Sequence, residues 1–230
     1  MPANATGWFC HCLARETGKL GHLLSPGQQR GPWPWFPFAL DNGCFSLWDP
    51  DSNNFDQETW NTLLYPKWRR LIFWSLSQAQ KPLWAIVPDR PGDWDATVTK
   101  WELYSGEISG VIPLAIAVQD GSEPADVRAL RPTPELVCVG GSTDWKWRTA
   151  EMWIKEFPRV HVLRCNAPDK LGWLEGLGCE STDGTGWNRG DRKQTKGLEA
   201  WARGLTHQHE FPLWPHVCRE PKDIKQMTFA

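Results

Sequence analysis

Short apolar runs recur along the chain, each ended by a polar or glycine-rich turn and followed by a longer stretch with helical spacing. Six are plain. Positions 35–40 end in Asp41-Asn42-Gly43, 83–87 in Pro88-Asp89, and 112–118 in Gln119-Asp120-Gly121. Positions 136–139 end in Gly140-Gly141, 160–164 in Cys165-Asn166, and 179–182 in Asp183-Gly184. Runs of this length, rich in branched and aromatic residues and bounded by turn formers, predict strands. Positions 8–13 predict an earlier strand. Gly18-Lys19-Leu20-Gly21-His22 then reads as a glycine-containing loop from which Lys19 or His22 can close over a ligand.

The intervening segments predict helices with recognisable caps. Asp56 precedes Trp60, Leu63 and Leu64, and Asp93 precedes Val98 and Trp101. Asp144 precedes Trp145 and Trp153, and Asn166 precedes Leu171 and Leu174. Pro66 predicts a kink or a division in the first of these helices. Strands without strict alternation, joined by helices, imply a parallel sheet covered on both faces. Such an α/β chain closes into a barrel or stays open as a doubly wound sheet. An open sheet gathers its functional groups at one switch point, whereas a barrel spreads them over many strand ends. Asp41, Asp89, Gln119, Gly140 and Asp183 each follow a separate run, which favours a (β/α)8-type TIM barrel. No eighth strand is evident, so an incomplete or irregular barrel is expected. One domain is expected over 1–230, with 206–230, rich in Pro and His, as a C-terminal surface tail.

Composition narrows the function less than the pattern does. A 40% hydrophobic and 23% charged chain is ordinary for a globular protein. Seventeen tryptophans are not ordinary; many must be core, though indole faces also stack on bases. The formal net charge of −2 excludes a globally basic polyanion binder, so a nucleic-acid partner needs a local basic face. Arg189, Arg192, Lys193 and Lys196 supply one after the last strand, while Lys67, Arg69 and Arg70 read as a solvated helix face. Seven cysteines without an N-terminal apolar signal segment favour a reducing cytoplasm, and no run is long enough to span a membrane. Cys10-His11-Cys12 and the group His207, His209, His216 and Cys218 are zinc-type ligands at spacings unusual for structural zinc. No metal or cofactor is expected, and scattered core residues are the simpler account. Walker, dinucleotide and Gly-x-Ser-x-Gly signatures are absent.

Any one of Asp41-Asn42-Gly43, Pro88-Asp89 and Asp183-Gly184 is a plausible turn by itself. Together, three carboxylates at the same end of successive strands crowd one mouth, a costly arrangement that points to function. With Gln119 and the bare backbone of Gly140 and Gly141, the set suits a planar purine-like base. Carboxylates accept its ring N–H groups, and an amide and a peptide N–H address its carbonyl. One carboxylate is then left to face the sugar, where it can attack C1′ as retaining glycosidases do. Cys44 and Cys165 are expected to border this pocket. Trp187 and Arg189, directly after the last turn, and Arg192 beyond them are candidates for nucleic-acid contact.

The stretch from Phe157-Pro158-Arg159 through Cys165-Asn166-Ala167-Pro168-Asp169-Lys170-Leu171 to Gly178 and Asp183 resembles the tRNA-guanine transglycosylases. In that family a Pro-Arg-Tyr strand leads through Gly-x-Pro-Glu-Asp-Leu to the nucleophilic Phe-Asp-Cys. The resemblance implies Asp183 as nucleophile. Gly140-Gly141 is similar to the family's glycine motif, Val118-Gln119-Asp120-Gly121 to its Val-Gln-Gly-Gly, and Asp41-Asn42-Gly43-Cys44-Phe45 to its Asp-Ser-Gly-Gly-Phe. It further implies base recognition by Asp89 and proton transfer by Asp41, and it covers about residues 36–190 as an ordered series of short motifs. No Cys-x-Cys-x-x-Cys zinc site follows Asp183, and the chain is much shorter than the tRNA enzymes. It is thus similar to the compact DNA 7-deazaguanine transglycosylases of phages and mobile elements. The implied activity is exchange of guanine in DNA for a 7-deazaguanine, such as 7-cyano-7-deazaguanine. tRNA as substrate, a dimer like that of the tRNA enzymes, a nucleoside hydrolase, and a Trp-rich base-binding module are the alternatives.

Overall fold

The structure, a computed structural model, describes residues 8–27, 36–188 and 192–204. Seven strands form one parallel sheet: β1 (His22–Leu24), β2 (Phe38–Leu40), β5 (Ala85–Ile86), β6 (Leu114–Val118), β7 (Leu136–Val139), β8 (Val160–Val162) and β9 (Ser181–Thr182). Each pairs with the next in chain order, so the sheet has no reversal and no switch point, which sets aside the doubly wound alternative. The sheet curls into a half-barrel flanked by helices. Its edges are β1 and β9, and no pairing joins them among the described residues. The helices are α1 (Trp8–Thr17), α2 (Gln57–Thr59), α3 (Tyr65–Ser77), α4 (Trp94–Tyr104), α5 (Pro124–Ala129), α6 (Thr143–Glu156), α7 (Pro168–Leu177) and α8 (Arg192–Ala202). A small antiparallel hairpin of β3 (Trp48–Asp49) and β4 (Asn54–Phe55) is inserted after β2.

Strand parity sorts the core into two faces. Phe38, Leu40, Val87, Ile116, Val118, Val137, Val139, Val160 and Val162 point outward and join Leu13, Trp68, Leu71, Trp101, Val127, Trp153 and Leu171 from the helices. The intervening positions Leu23, Ala39, Ile86, Ala115, Ala117, Leu136 and Cys138 line the concave face with Trp84. Both faces are apolar, which is why the sequence shows continuous runs rather than alternation. The concave residues are small, and the space they leave is filled by Trp84 and by the ring of His161, 4.8 Å apart and both fully buried. Trp60, Trp68, Trp84, Trp101 and Trp153 are all fully buried, so core packing accounts for much of the tryptophan content.

The predicted strand at 8–13 is instead the helix α1. Cys10, Leu13 and Ala14, spaced i, i+3, i+4, are its buried stripe, and Gly18 at φ 68° closes it by donating to the Ala14 carbonyl. The loop expected at 18–22 holds through position 21 and runs into the first strand at His22, whose ring packs at a tilt against Phe36 with centroids 4.3 Å apart. Asp56 and Asp93 cap as expected, their carboxylates accepting from the N–H of Thr59 and Ala96 at 2.9 Å each. Two caps shift. Ser142 caps α6, with Asp144 inside its first turn, and Ala167 precedes α7 while the Asn166 side chain accepts from the Gly186 N–H at 3.0 Å. Pro66 sits in the first turn of α3, and a single π turn at Trp60–Leu64 makes the expected division. Among the described residues no helix is long and apolar enough to cross a membrane.

Candidate functional site

On most strands the inward parity continues past the C-terminal end, where the concave apolar lining gives way to polar residues or bare glycine backbone. Leu23 is followed by Ser25, Ala39 by Asp41, Ala117 by Gln119, Cys138 by Gly140, and Ser181 by Asp183; Asp89 follows Ile86 across Pro88. These residues, with Asn42, Phe45, Leu163 and Arg164, line one cavity of about 170 Å³. The volume lies below the roughly 300–1,000 Å³ of drug-sized sites, which suits a single heterocyclic base better than a whole nucleotide. A larger cavity of about 330 Å³ opens at the other end of the sheet, around Gly21, Pro37, Leu83 and Glu180. It holds no comparable convergence of chemistry.

Asp183 is buried, and its Oδ1 accepts the backbone N–H of Arg164 at 2.7 Å and faces His161 Nε2 at 3.3 Å. His161 Nδ1 lies 2.8 Å from the Ser181 hydroxyl; with that hydroxyl donating, Nε2 carries the ring proton toward Asp183. Burial lowers the His161 pKa against the pull of Asp183, so the ring works as a neutral donor. Burial also pushes the Asp183 carboxyl up, but the His161 and Arg164 hydrogen bonds outweigh it and hold the group below the ordinary value. Asp183 is thus an anion with both described bonds on Oδ1 and, among the described residues, Oδ2 open to an electrophile.

Asp41 is raised, first by burial and further by the charge of Asp183, although the Ser25 hydroxyl donates to its Oδ2 at 2.9 Å. Asp89 is the hub of an amide network. Asn42 Nδ2 donates to its Oδ1 at 2.9 Å and Gln119 Nε2 to its Oδ2 at 2.8 Å, while Gln119 Oε1 accepts from the Gly92 N–H at 3.2 Å. Burial nevertheless pushes Asp89 to about 6. A carboxylate has lone pairs to spare after two amide bonds, so Asp89 can still accept N–H donors from a ligand.

That shift carries a stability consequence. The folded pKa lies above the ordinary 3.8, so the folded protein favours protonated Asp89. The penalty is absent below about pH 4 and complete above pH 6, where it is on the order of 3 kcal/mol. In urea unfolding from pH 4 to 8, the stability of Asp89→Asn relative to the parent should therefore rise through the window between those values and level off above it. A difference independent of pH would show that the Asp89 charge is not penalised.

At the mouth, Gly141 takes φ 69°, and a Cβ there would meet Asp120 Oδ2 at 2.4 Å. Asp120 also accepts from the Ser142 N–H at 2.6 Å, so the glycine loop is pinned with its backbone at the cavity. Arg164, at φ 57°, donates from Nη2 to the Gly141 carbonyl at 2.6 Å and lies 4.1 Å from the Phe45 ring centroid. This pair spans the opening between the β2 and β8 sides.

Asp41, Asp89, Gln119, Gly140, Gly141 and Asp183 are therefore brought together. Cys165 is not among the lining residues. It is fully buried, with Sγ toward the Ala167 carbonyl at 3.7 Å. Cys44 is likewise fully buried, packed with Phe55 and Trp60. Trp187 is only 4% exposed; it packs into the outer core and borders the larger cavity at the other end of the sheet, not the base-sized one. Arg192 is exposed at the start of α8. Arg189, and the His207, His209, His216 and Cys218 group, lie outside the described residues, among which no three His, Cys, Asp or Glu side chains gather as a metal site. Ser25, Asn42, His161 and Arg164 belong to the site but were not singled out as such in the sequence. The signal for His161 was a polar residue inside an apolar parallel strand. Compared with family models and with curated protein sequences, the chain matches none.

Proposed function

We propose that this chain is a base-exchanging transglycosylase acting on guanine in DNA, its half-barrel a shortened form of the (β/α)8 barrel. The observation that carries the proposal is the meeting of an ionised Asp183, an Asp41 whose pKa burial raises above the ordinary carboxylate value and the Asn42–Asp89–Gln119 network in one base-sized cavity. The choice of guanine and of DNA rests on the family resemblance.

The chemistry follows from the two carboxylates nearest the sugar. Asp183 attacks C1′ of an extruded nucleotide, forming an ester as the C1′–N9 bond breaks. Asp41, shifted toward its acid form by burial and by the Asp183 charge, delivers a proton to the departing N9. Once Asp183 is esterified its charge is gone, and the bias toward the acid form of Asp41 weakens. Asp41 then takes N9–H from an incoming 7-deazaguanine, whose nitrogen attacks C1′ and frees Asp183. Asp89, Gln119 and the Gly140 backbone hold either base by its edge. The sugar inverts twice, so its configuration is retained.

The decisive experiment incubates the protein with guanine-containing single-stranded DNA, or with tRNA, and labelled guanine or 7-cyano-7-deazaguanine. Label should enter the DNA, with an equal release of unlabelled guanine. Label in tRNA alone would move the substrate to RNA, and release of guanine without incorporation would make the protein a hydrolase.

A further inference from the structure

We infer that the outer rim beside β7 and β8 is a stacking platform for single-stranded DNA flanking the target base, a site that rests on the proposed reaction and extends it. Trp147 on α6 and Trp173 on α7 meet edge to face with ring centroids 6.3 Å apart. Trp173 is 36% exposed, the most exposed tryptophan among the described residues, and Trp147 is half-buried. The Lys170 ammonium lies over both rings, at 5.4 Å from the Trp147 centroid and 5.2 Å from that of Trp173. Trp147 and Arg148 also line an open depression with Asp144. Indole faces interleaved with cations are how sequence-tolerant single-strand sites hold bases and phosphates together.

The platform adjoins the cavity. Lys146, whose Nζ is 4.9 Å from the Trp147 centroid, donates to the carbonyl of Leu163 at 2.8 Å, and Leu163 and Arg164 both line the base site. A strand leaving the cavity on this side runs directly onto Trp147 and Trp173. Charge favours the same path. Around the two indoles Arg148 and Lys170 balance Asp144 and Asp169, with Lys146 buried beneath them, and the next helix, α8, adds Arg192, Lys193 and Lys196. The opposite rim carries Asp49, Asp51, Asp56, Asp93 and Asp95. On a chain of net charge −2, this asymmetry directs a phosphodiester backbone toward α6 and α7.

The test is fluorescence anisotropy with an end-labelled single-stranded DNA 12-mer, using the full chain and its Trp147→Ala/Trp173→Ala, Lys170→Glu and Asp183→Asn variants. The double variant should bind about tenfold or more weakly, in line with stacking measured elsewhere by alanine substitution. Lys170→Glu should weaken binding with a shallower salt dependence. Asp183→Asn, which removes an anion from the cavity, should bind at least as tightly as the parent. Two results would overturn the platform: unchanged affinity in both rim variants, or a fall in sedimentation mass of the double variant with DNA binding intact, which would make the rim an interface between copies. An equal or greater effect with RNA of the same sequence would overturn the commitment to DNA. Failure of the exchange chemistry would appear separately, as no base incorporation by the parent protein while the rim variants still lose DNA affinity.

Discussion

Asp183→Asn should lower exchange of labelled guanine by at least about 10³-fold while leaving the protein folded. The amide oxygen of Asn cannot form the ester that links protein to sugar, so the covalent route is closed, not merely slowed. The local geometry survives the change. The Arg164 N–H and His161 Nε2 both address Oδ1, and an Asn carbonyl accepts from them in the same place. The fold favours the Asp183 anion because these bonds outweigh its burial, so the neutral amide should lower the thermal midpoint by a few degrees without unfolding the protein. Two measurements check this: label incorporation, and trapping of a DNA adduct stable to denaturant, which the parent should give and the Asn variant should not. An exchange-active Asn variant would remove Asp183 from the nucleophile's place.

The strand ends were legible because most of the polar residues that interrupt the apolar runs do so where those runs leave the core. Asp41, Asp89, Gln119, Gly140 and Asp183 all mark such exits, and curling the sheet brings them to one cavity. What the sequence hid depends on parity and register. His161 is flanked by Val160 and Val162, which face the helices, and its inward aim toward Asp183 becomes visible only when β8 is aligned with β9. Arg164 reads as the end of a strand; its positive φ is what turns the side chain across the mouth to Phe45. Trp187 follows Asp183 by four residues, yet the short helical turn at Gly186–Asn188 carries its ring into the outer core. The three residues of β1 are too few to show a period, and the aromatic start of α1 concealed its helical stripe.

Trp84→Ala should be the most damaging substitution away from the reacting atoms, because one side chain fills the half-barrel and supports the site. The indole is fully buried on the concave face, among Ala39, Ala115, Ala117 and Cys138, which are too small to close over the space it would vacate. Its loss should cost about 3–5 kcal/mol, combining lost transfer energy with an unfilled cavity. Its Nε1 has no hydrogen-bond partner among the described residues, so the cost comes from packing and no polar bond is forfeited. The same cavity would open beside His161, whose ring Trp84 holds at 4.8 Å and whose Nε2 faces Asp183. Exchange measured on the folded population should then fall further, through a lower turnover and not a weaker KM for free base, since Trp84 lies below the base-binding groups. Trp84→Phe refills most of the volume and should recover most of both losses. Urea unfolding at neutral pH and single-turnover exchange at saturating base separate the two effects. An Ala variant destabilised by less than about 1 kcal/mol would mean the concave face collapses around the gap, and that neither the curl of the sheet nor the aim of His161 depends on this indole.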